Sequence, residues 1–187
     1  MTIIKLCAIK CKKGEEQSMW KLEEKFEFRN IDQEEADQAV KIEEICFPPE
    51  EACSEKMMRE RVKSAPELFL VAVDRETGKI AGFLNGLSTD EEIFRDDFFM
   101  NTSLYIPDGR NVMLLGLDVL PKYRRQGLAS EIMRRYEEAE KVRGRKKLIL
   151  TCLESKVAMY QKMGYKDLGM AQSSWGGEKW HEMCMEL

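Results

Sequence analysis

From Lys25 to Asn30 apolar and charged residues alternate, Phe26 and Phe28 against Lys25, Glu27 and Arg29, the period-two signature of a strand with one buried face. The period then changes. Asp32 with Glu35 three residues on forms a capping box, and Ala36, Ala39, Val40, Ile42 and Cys46 recur at helical spacing until Pro48-Pro49, which predicts a first helix to about Phe47. Ser54 caps a second helix through Val62, ended by Ser64-Ala65-Pro66. The apolar runs Leu68–Val73 and Ile80–Leu87, joined by Arg75-Glu76-Thr77-Gly78, read as a hairpin of strands two and three. Thr89 and Glu92 predict another capping box before a short acidic helix over Ile93–Phe99, and Pro107-Asp108-Gly109 marks a turn.

Strand four, Val112 to Leu120, is apolar on both faces apart from Asp118, as expected of a central strand covered on two sides. Leu128, Ile132, Met133, Tyr136 and Ala139 place an amphipathic helix over Gly127–Arg143, stopped near Gly144. Lys147–Cys152 is a fifth strand, Ser155 caps a short helix through Met163 with Gly164 at its stop, and Tyr165–Leu168 is extended. Lys179–Leu187 closes the chain by alternating Trp180, Glu182, Cys184 and Glu186 with His181, Met183, Met185 and Leu187. Interleaved strands and helices without a linker predict a single α/β domain over residues 25–187, a mixed sheet of about seven strands flanked by helices, with residues 1–24 as an N-terminal extension.

Composition narrows the function. A chain of 187 residues, 43% hydrophobic and 34% charged, is expected to form one globular domain. A net charge of −4 gives no general attraction to nucleic acid. The apolar opening Thr2–Ile9 is interrupted by Lys5 and lacks a small-residue cleavage site. No run reaches the roughly 18 apolar residues of a membrane span. The expectation is a cytoplasmic monomer or homodimer. Six cysteines read as reduced thiols, and Cys7 with Cys11 lacks a second ligand pair, so no metal is expected.

The strongest local signal is Pro121-Lys122-Tyr123-Arg124-Arg125-Gln126-Gly127-Leu128-Ala129-Ser130, between strand four and its helix. A helix start offers unpaired amides and a positive dipole end, small residues let a phosphate approach, and three basic residues add charge. Arg124-Arg125-Gln126-Gly127-Leu128-Ala129 resembles the Gln/Arg-x-x-Gly-x-Gly/Ala signature of the GNAT superfamily of acyl-CoA-dependent acyltransferases, and Met159-Tyr160-Gln161-Lys162-Met163-Gly164-Tyr165 is similar to its second motif. Ala65-Pro66-Glu67-Leu68, Leu117-Asp118-Val119, Thr151-Cys152 and the closing segment look most like the serotonin or arylalkylamine N-acetyltransferase group.

The resemblance implies that strands four and five splay to admit acetyl-CoA, with its pantetheine on the backbone around Leu117, Asp118 and Val119. Its diphosphate would lie on Arg124, Arg125, Gln126, Gly127, Leu128, Ala129 and Ser130. Tyr160 falls on the tyrosine that touches the CoA sulfur and protonates the departing thiolate. The implied reaction is direct acetyl transfer to a small primary amine, with polyamine, aminoglycoside or peptide acetylation, or a silent acyl-CoA sensor, as alternatives. Met113 and Leu115 stand where the vertebrate serotonin enzymes have two histidines, and neither can take a proton. His181 is the candidate base, with Glu50, Asp108, Asp118 and Glu154 as further candidates. Phe47 and Trp180 fall where aromatic side chains flank the substrate ring. Arg143, Arg145, Lys146 and Lys147 read either as a charged loop or as a reach toward the CoA 3′-phosphate.

Overall fold

The computed structural model describes residues 21–187. The readings of Thr2–Ile9, Cys7 and Cys11 lie outside them, as does the expected extension apart from residues 21–24, where a helical turn buries Leu22 in the core. The strands are β1 (Phe26–Asn30), β2 (Phe69–Asp74), β3 (Lys79–Thr89), β4 (Asn111–Val119), β5 (Lys147–Leu153), β6 (Lys166–Met170) and β7 (Trp180–Glu186). The helices are α1 (Ala36–Cys46), α2 (Glu55–Ser64), α3 (Asp97–Met100), α4 (Leu128–Val142) and α5 (Glu154–Lys162). One seven-stranded sheet runs in the order β1-β2-β3-β4-β5-β7-β6, antiparallel except for the parallel pair β4–β5.

Alternation along β2 sorts the core into two layers. Phe69, Val71 and Val73 pack with Ala39 and Ile42 of α1 and Met58 and Val62 of α2. Ala72 belongs to the other layer, with Leu84 of β3 and Leu128, Ile132, Met133 and Tyr136 of α4. Fully burying one such aliphatic or aromatic side chain contributes about 1.5–3 kcal/mol. The reciprocal bonds of Asp32 and Glu35 form the expected capping box, and Gly78 takes a positive φ of 64° in the hairpin turn.

Two local expectations are corrected. The helix expected over Ile93–Phe99 is reduced to α3, because Thr89 ends β3 opposite Asn111 and its hydroxyl accepts from the Glu91 amide at 3.2 Å. That local bond competes with a helix start. Likewise α5 begins at Glu154, with Leu153 as N-cap and no side-chain cap from Ser155.

The feature that positions the site lies at the centre of the sheet. β4 and β5 pair only through Asn111–Met113 and Lys147–Ile149, although β4 runs on to Val119 and β5 to Leu153. Against β3, Asn85 faces Gly116 while Gly86 faces Leu114, leaving Leu115 as an extra residue. Such a bulge bends its strand and increases its twist, and it falls where β4 parts from β5. Gly86 allows the close approach. A Cβ there would lie 2.8 Å from the Met113 carbonyl oxygen and 2.9 Å from Tyr136 Oη.

Candidate active site

The gap between β4 and β5 opens into a cleft of about 640 Å³. Its walls are Leu114–Leu117 and Val119 of β4, Leu150–Leu153 of β5, the loop leading into α4, one side of α5, and side chains of α1, α2 and the connection between them. Of the residues expected at the site, Leu117, Val119, Arg124, Arg125, Gly127, Leu128, Ala129, Ser130, Tyr160, Phe47 and Trp180 line this one cleft.

The loop before α4 is built for an anion. Arg125 and Gly127 both take left-handed conformations, with φ of 60° and 86°, a backbone pattern that can turn successive amides toward one concavity. Gly127 is the N-cap of α4 and has no side chain to bond the first-turn amides, so Leu128, Ala129 and Ser130 present N–H groups without intrahelical acceptors. Its glycine is required by φ and not by space, since the nearest atom to an added Cβ is Leu22 Cδ1 at 3.8 Å. The cradle therefore fits a diphosphate at a helix start. Gln126 does not line the cleft. Its amide donates to the Lys122 carbonyl at 2.8 Å and accepts from Lys25 Nζ at 2.9 Å, which fixes the loop from outside. Arg124 Nε donates to the Val119 carbonyl at 2.8 Å.

Tyr160 of α5 lines the cleft and packs edge-on against Tyr165, ring centroids 5.8 Å apart. Burial is the main cause that raises its pKa, with Cys152 and Asp118 adding to it. The phenol therefore holds its proton throughout the neutral range. The thiols in the cleft are poor nucleophiles. Burial raises Cys46, Cys53 and Cys152 each to about 11, so their reactive thiolate form is scarce at neutral pH.

The α1–α2 side of the cleft holds residues that sequence reasoning missed. Trp175 donates from Nε1 to the Glu51 carbonyl at 2.8 Å and packs 4.9 Å from Phe99, while Trp180 Nε1 donates to the Trp175 carbonyl at 2.9 Å. Phe47, Phe99, Trp175 and Trp180 thus give the cleft an aromatic wall beside Glu43, Glu51 and Arg61. One signal was available in the helix periodicity. Glu43 stands on the stripe of Ala36, Ala39, Val40 and Cys46, and Arg61 on that of Met58 and Val62, so each is a charged residue where the pattern calls for an apolar one.

His181, the candidate base, is not brought to the cleft. It lies, with Nδ1 3.1 Å from Asp167 Oδ1, beside a separate shallow hollow that includes Glu154 and Ser155. The Asp167 carboxyl is held below its usual range first by the Gly169 amide and then by His181. Glu50, Asp108 and Glu154 are exposed and do not line the cleft. Asp118, whose backbone is expected beside the pantetheine, is not among the residues that line the cleft. Its side chain is wholly buried beside Glu43. Arg145 is also committed elsewhere, paired with buried Glu140 and donating to the Pro107 and Gly109 carbonyls, which leaves no guanidinium edge for a CoA phosphate. Among the described residues, no helix is long and apolar enough to cross a membrane.

Comparison with known proteins agrees with this geometry. A GNAT-like decarboxylase, GphF, solved with isobutyryl-CoA, superposes with a TM-score of 0.73 at 16% identity over 86% of this chain and 98% of that one. The ribosomal-protein-S18-alanine N-acetyltransferase of Escherichia coli gives 0.63 at 18% identity, covering 86% and 93%. The phosphinothricin acetyltransferase of Sinorhizobium meliloti, solved with acetyl-CoA, gives 0.63 at 15%, covering 87% and 89%. At these identities the likeness establishes the fold. No curated protein is matched by sequence. The pattern of the Acetyltransferase (GNAT) family matches residues 28–165, and the chain belongs to that family.

Proposed function

We propose that this protein moves the acetyl group of acetyl-CoA to a small primary amine by direct attack within a ternary complex in the cytoplasm. The observation that carries the reading is that one cleft contains the open amides at the start of α4, the Tyr160 phenol and an aromatic wall with carboxyl groups. The first suits the CoA diphosphate, the second its thiolate, and the third an ammonium on an apolar body. The β4 edge around Leu117 and Val119, which β5 does not pair, offers backbone to the pantetheine arm. With the cleft thiols held protonated, no acyl-cysteine intermediate is required. The amine attacks the thioester carbon, the C–N bond forms as the C–S bond breaks, the sulfur takes its proton from Tyr160, and the phenol is restored by the proton that the acylated nitrogen loses. One proton is released for each ammonium consumed.

The aromatic wall favours an arylalkylamine, the substrate class of the serotonin group that the sequence resembles. Ring contacts of this kind contribute about 0.5–1.5 kcal/mol beyond area burial. Trp180→Ala is therefore expected to lower the kcat/KM ratio of phenethylamine over an aliphatic amine of similar length by up to about tenfold. Competition among phenethylamine, tryptamine, spermidine, an aminoglycoside and a short peptide, with products identified by mass, tests the class. Arylalkylamine preference supports it, and a winning polyamine, aminoglycoside or peptide replaces it.

A further inference from the structure

The cleft has no histidine to deprotonate the attacking amine, yet it carries a buried acid pair that the mechanism above does not use. Glu43 of α1 is 3% exposed and Asp118 of β4 is 0% exposed. Glu43 Oε1 accepts from the Cys53 amide at 2.8 Å, while Glu43 Oε2 and both Asp118 carboxyl oxygens lack a donor among the described residues. Glu43 and Gly116 both line the cleft, and Gly116 stands beside these oxygens. A Cβ at Gly116 would stand 3.2 Å from Asp118 Oδ2 and 3.6 Å from Glu43 Oε2, so the missing side chain leaves open the space both oxygens face.

Resting on the acetyltransfer reading, we infer that Glu43, backed by Asp118, is the proton acceptor for the substrate ammonium. Two carboxyl groups in one buried site do not both ionise readily, and the pair is expected to share a proton. Burial raises both, and Glu43 further raises Asp118 while the Cys53 amide, Arg61 and Asp118 act to keep Glu43 ionised. The Cys53 amide on Glu43 Oε1, with no donor on either Asp118 oxygen among the described residues, makes Asp118 the proton holder and Glu43 the carboxylate. The groups facing them are Cys46 of α1, Cys53 of the α1–α2 connection, Arg61 of α2 and Asn85 of β3, with Arg124 beside Cys46. Arg61 is itself buried, donating to Asn85 Oδ1 at 3.3 Å and to the Phe99 carbonyl at 2.8 Å. Its charge balances one ionised carboxyl. In the step itself the R–NH3+ proton moves to Glu43, directly or through one water. The freed nitrogen lone pair then attacks the thioester carbon, the C–S bond breaks as the thiolate takes the Tyr160 proton, the acylated nitrogen gives its second proton back to the Tyr160 phenolate directly or through water, and the Glu43 proton passes to solvent.

The test compares wild type and Glu43→Gln on two amines, one with a high pKa that is protonated at pH 7.5 and one of low pKa, such as trifluoroethylamine, that is already neutral there. Glutamine keeps the carbonyl oxygen that accepts from Cys53 but removes the base. The expected result is a loss of about 100-fold in kcat/KM for the protonated amine and less than about fivefold for the neutral one. The remaining rate on the protonated amine should rise with pH as free amine becomes available. Glu43→Asp should recover part of the loss. Acetyl-CoA affinity and melting temperature of each variant check that it folds. Equal losses on both amines, or an unchanged pH profile, would overturn Glu43 as the base while leaving acetyl transfer intact. A wild-type protein that acetylates neither amine would overturn the transfer reading, and the base with it.

Discussion

Tyr160→Phe is expected to lower kcat for amine acetylation by about 10³-fold, close to 4 kcal/mol of transition-state stabilisation, while acetyl-CoA affinity stays within about threefold. Phenylalanine keeps the ring that packs on Tyr165 and removes only the hydroxyl. A thiolate leaving into a cleft lined by Leu150, Met159 and Met163 is poorly solvated and depends on a nearby donor. Because burial raises the Tyr160 pKa, the phenol stays protonated across the assay range and places no basic limb on the pH profile. Single-turnover kinetics with calorimetric titration of acetyl-CoA separate the two quantities. An unchanged kcat would remove Tyr160 from the reaction, and a parallel loss of affinity would make it a packing residue of the CoA site.

Arg145→Met is expected to destabilise the fold by about 3 kcal/mol, a lowering of Tm by about 6–12 °C for a chain of this size. Arg145 bonds Glu140, which is wholly buried, and the carbonyls of Pro107 and Gly109. Methionine fills much of the volume but leaves a buried carboxylate with Arg143 as its remaining partner. The pH dependence follows from the direction of the Glu140 shift. Burial already raises its folded-state pKa despite both arginines, and loss of Arg145 raises it further. The folded variant then takes up a proton more readily than the unfolded chain as pH falls, so the deficit is largest above neutrality and shrinks in acid. Urea melts at pH 8 and pH 5.5 measure this. A deficit equal at both pH values would contradict the electrostatic account, and weaker acetyl-CoA binding at low temperature would return Arg145 to the CoA site.

The order of strands and helices was legible because each buried element carries its period in the chain. Phe26 and Phe28 alternate, α4 repeats every three or four residues, and glycine or proline punctuates the turns. The anion cradle was legible because its parts are contiguous from Arg124 to Ser130. The short α3 was not, because Thr89 and Glu92 match a capping box in sequence while the Thr89 hydroxyl serves the β3 turn instead. The acid pair was only half legible. Asp118 interrupts an apolar strand and stood out, whereas Glu43 needed its place on the apolar stripe of α1 to be weighed. Only the β3–β4 bulge and the packing of α1 bring the two together across some 75 residues of chain. His181 misled for a related reason. Alternation put it on the strand face shared with Met183 and Met185, but the cleft opens toward Trp180, and Asp167 of the edge strand β6 holds the imidazole away from it.

The most direct test of the central claim is acetyl transfer itself, with purified protein, acetyl-CoA labelled in the acetyl carbonyl, and phenethylamine at pH 7.5, following labelled N-acetylphenethylamine by mass. The account predicts one labelled amide for each CoA released, at a rate that saturates in both substrates. Acetyl-CoA binding with no labelled amide from phenethylamine or any other amine in the panel would contradict it and leave an acyl-CoA-binding protein in place of an enzyme.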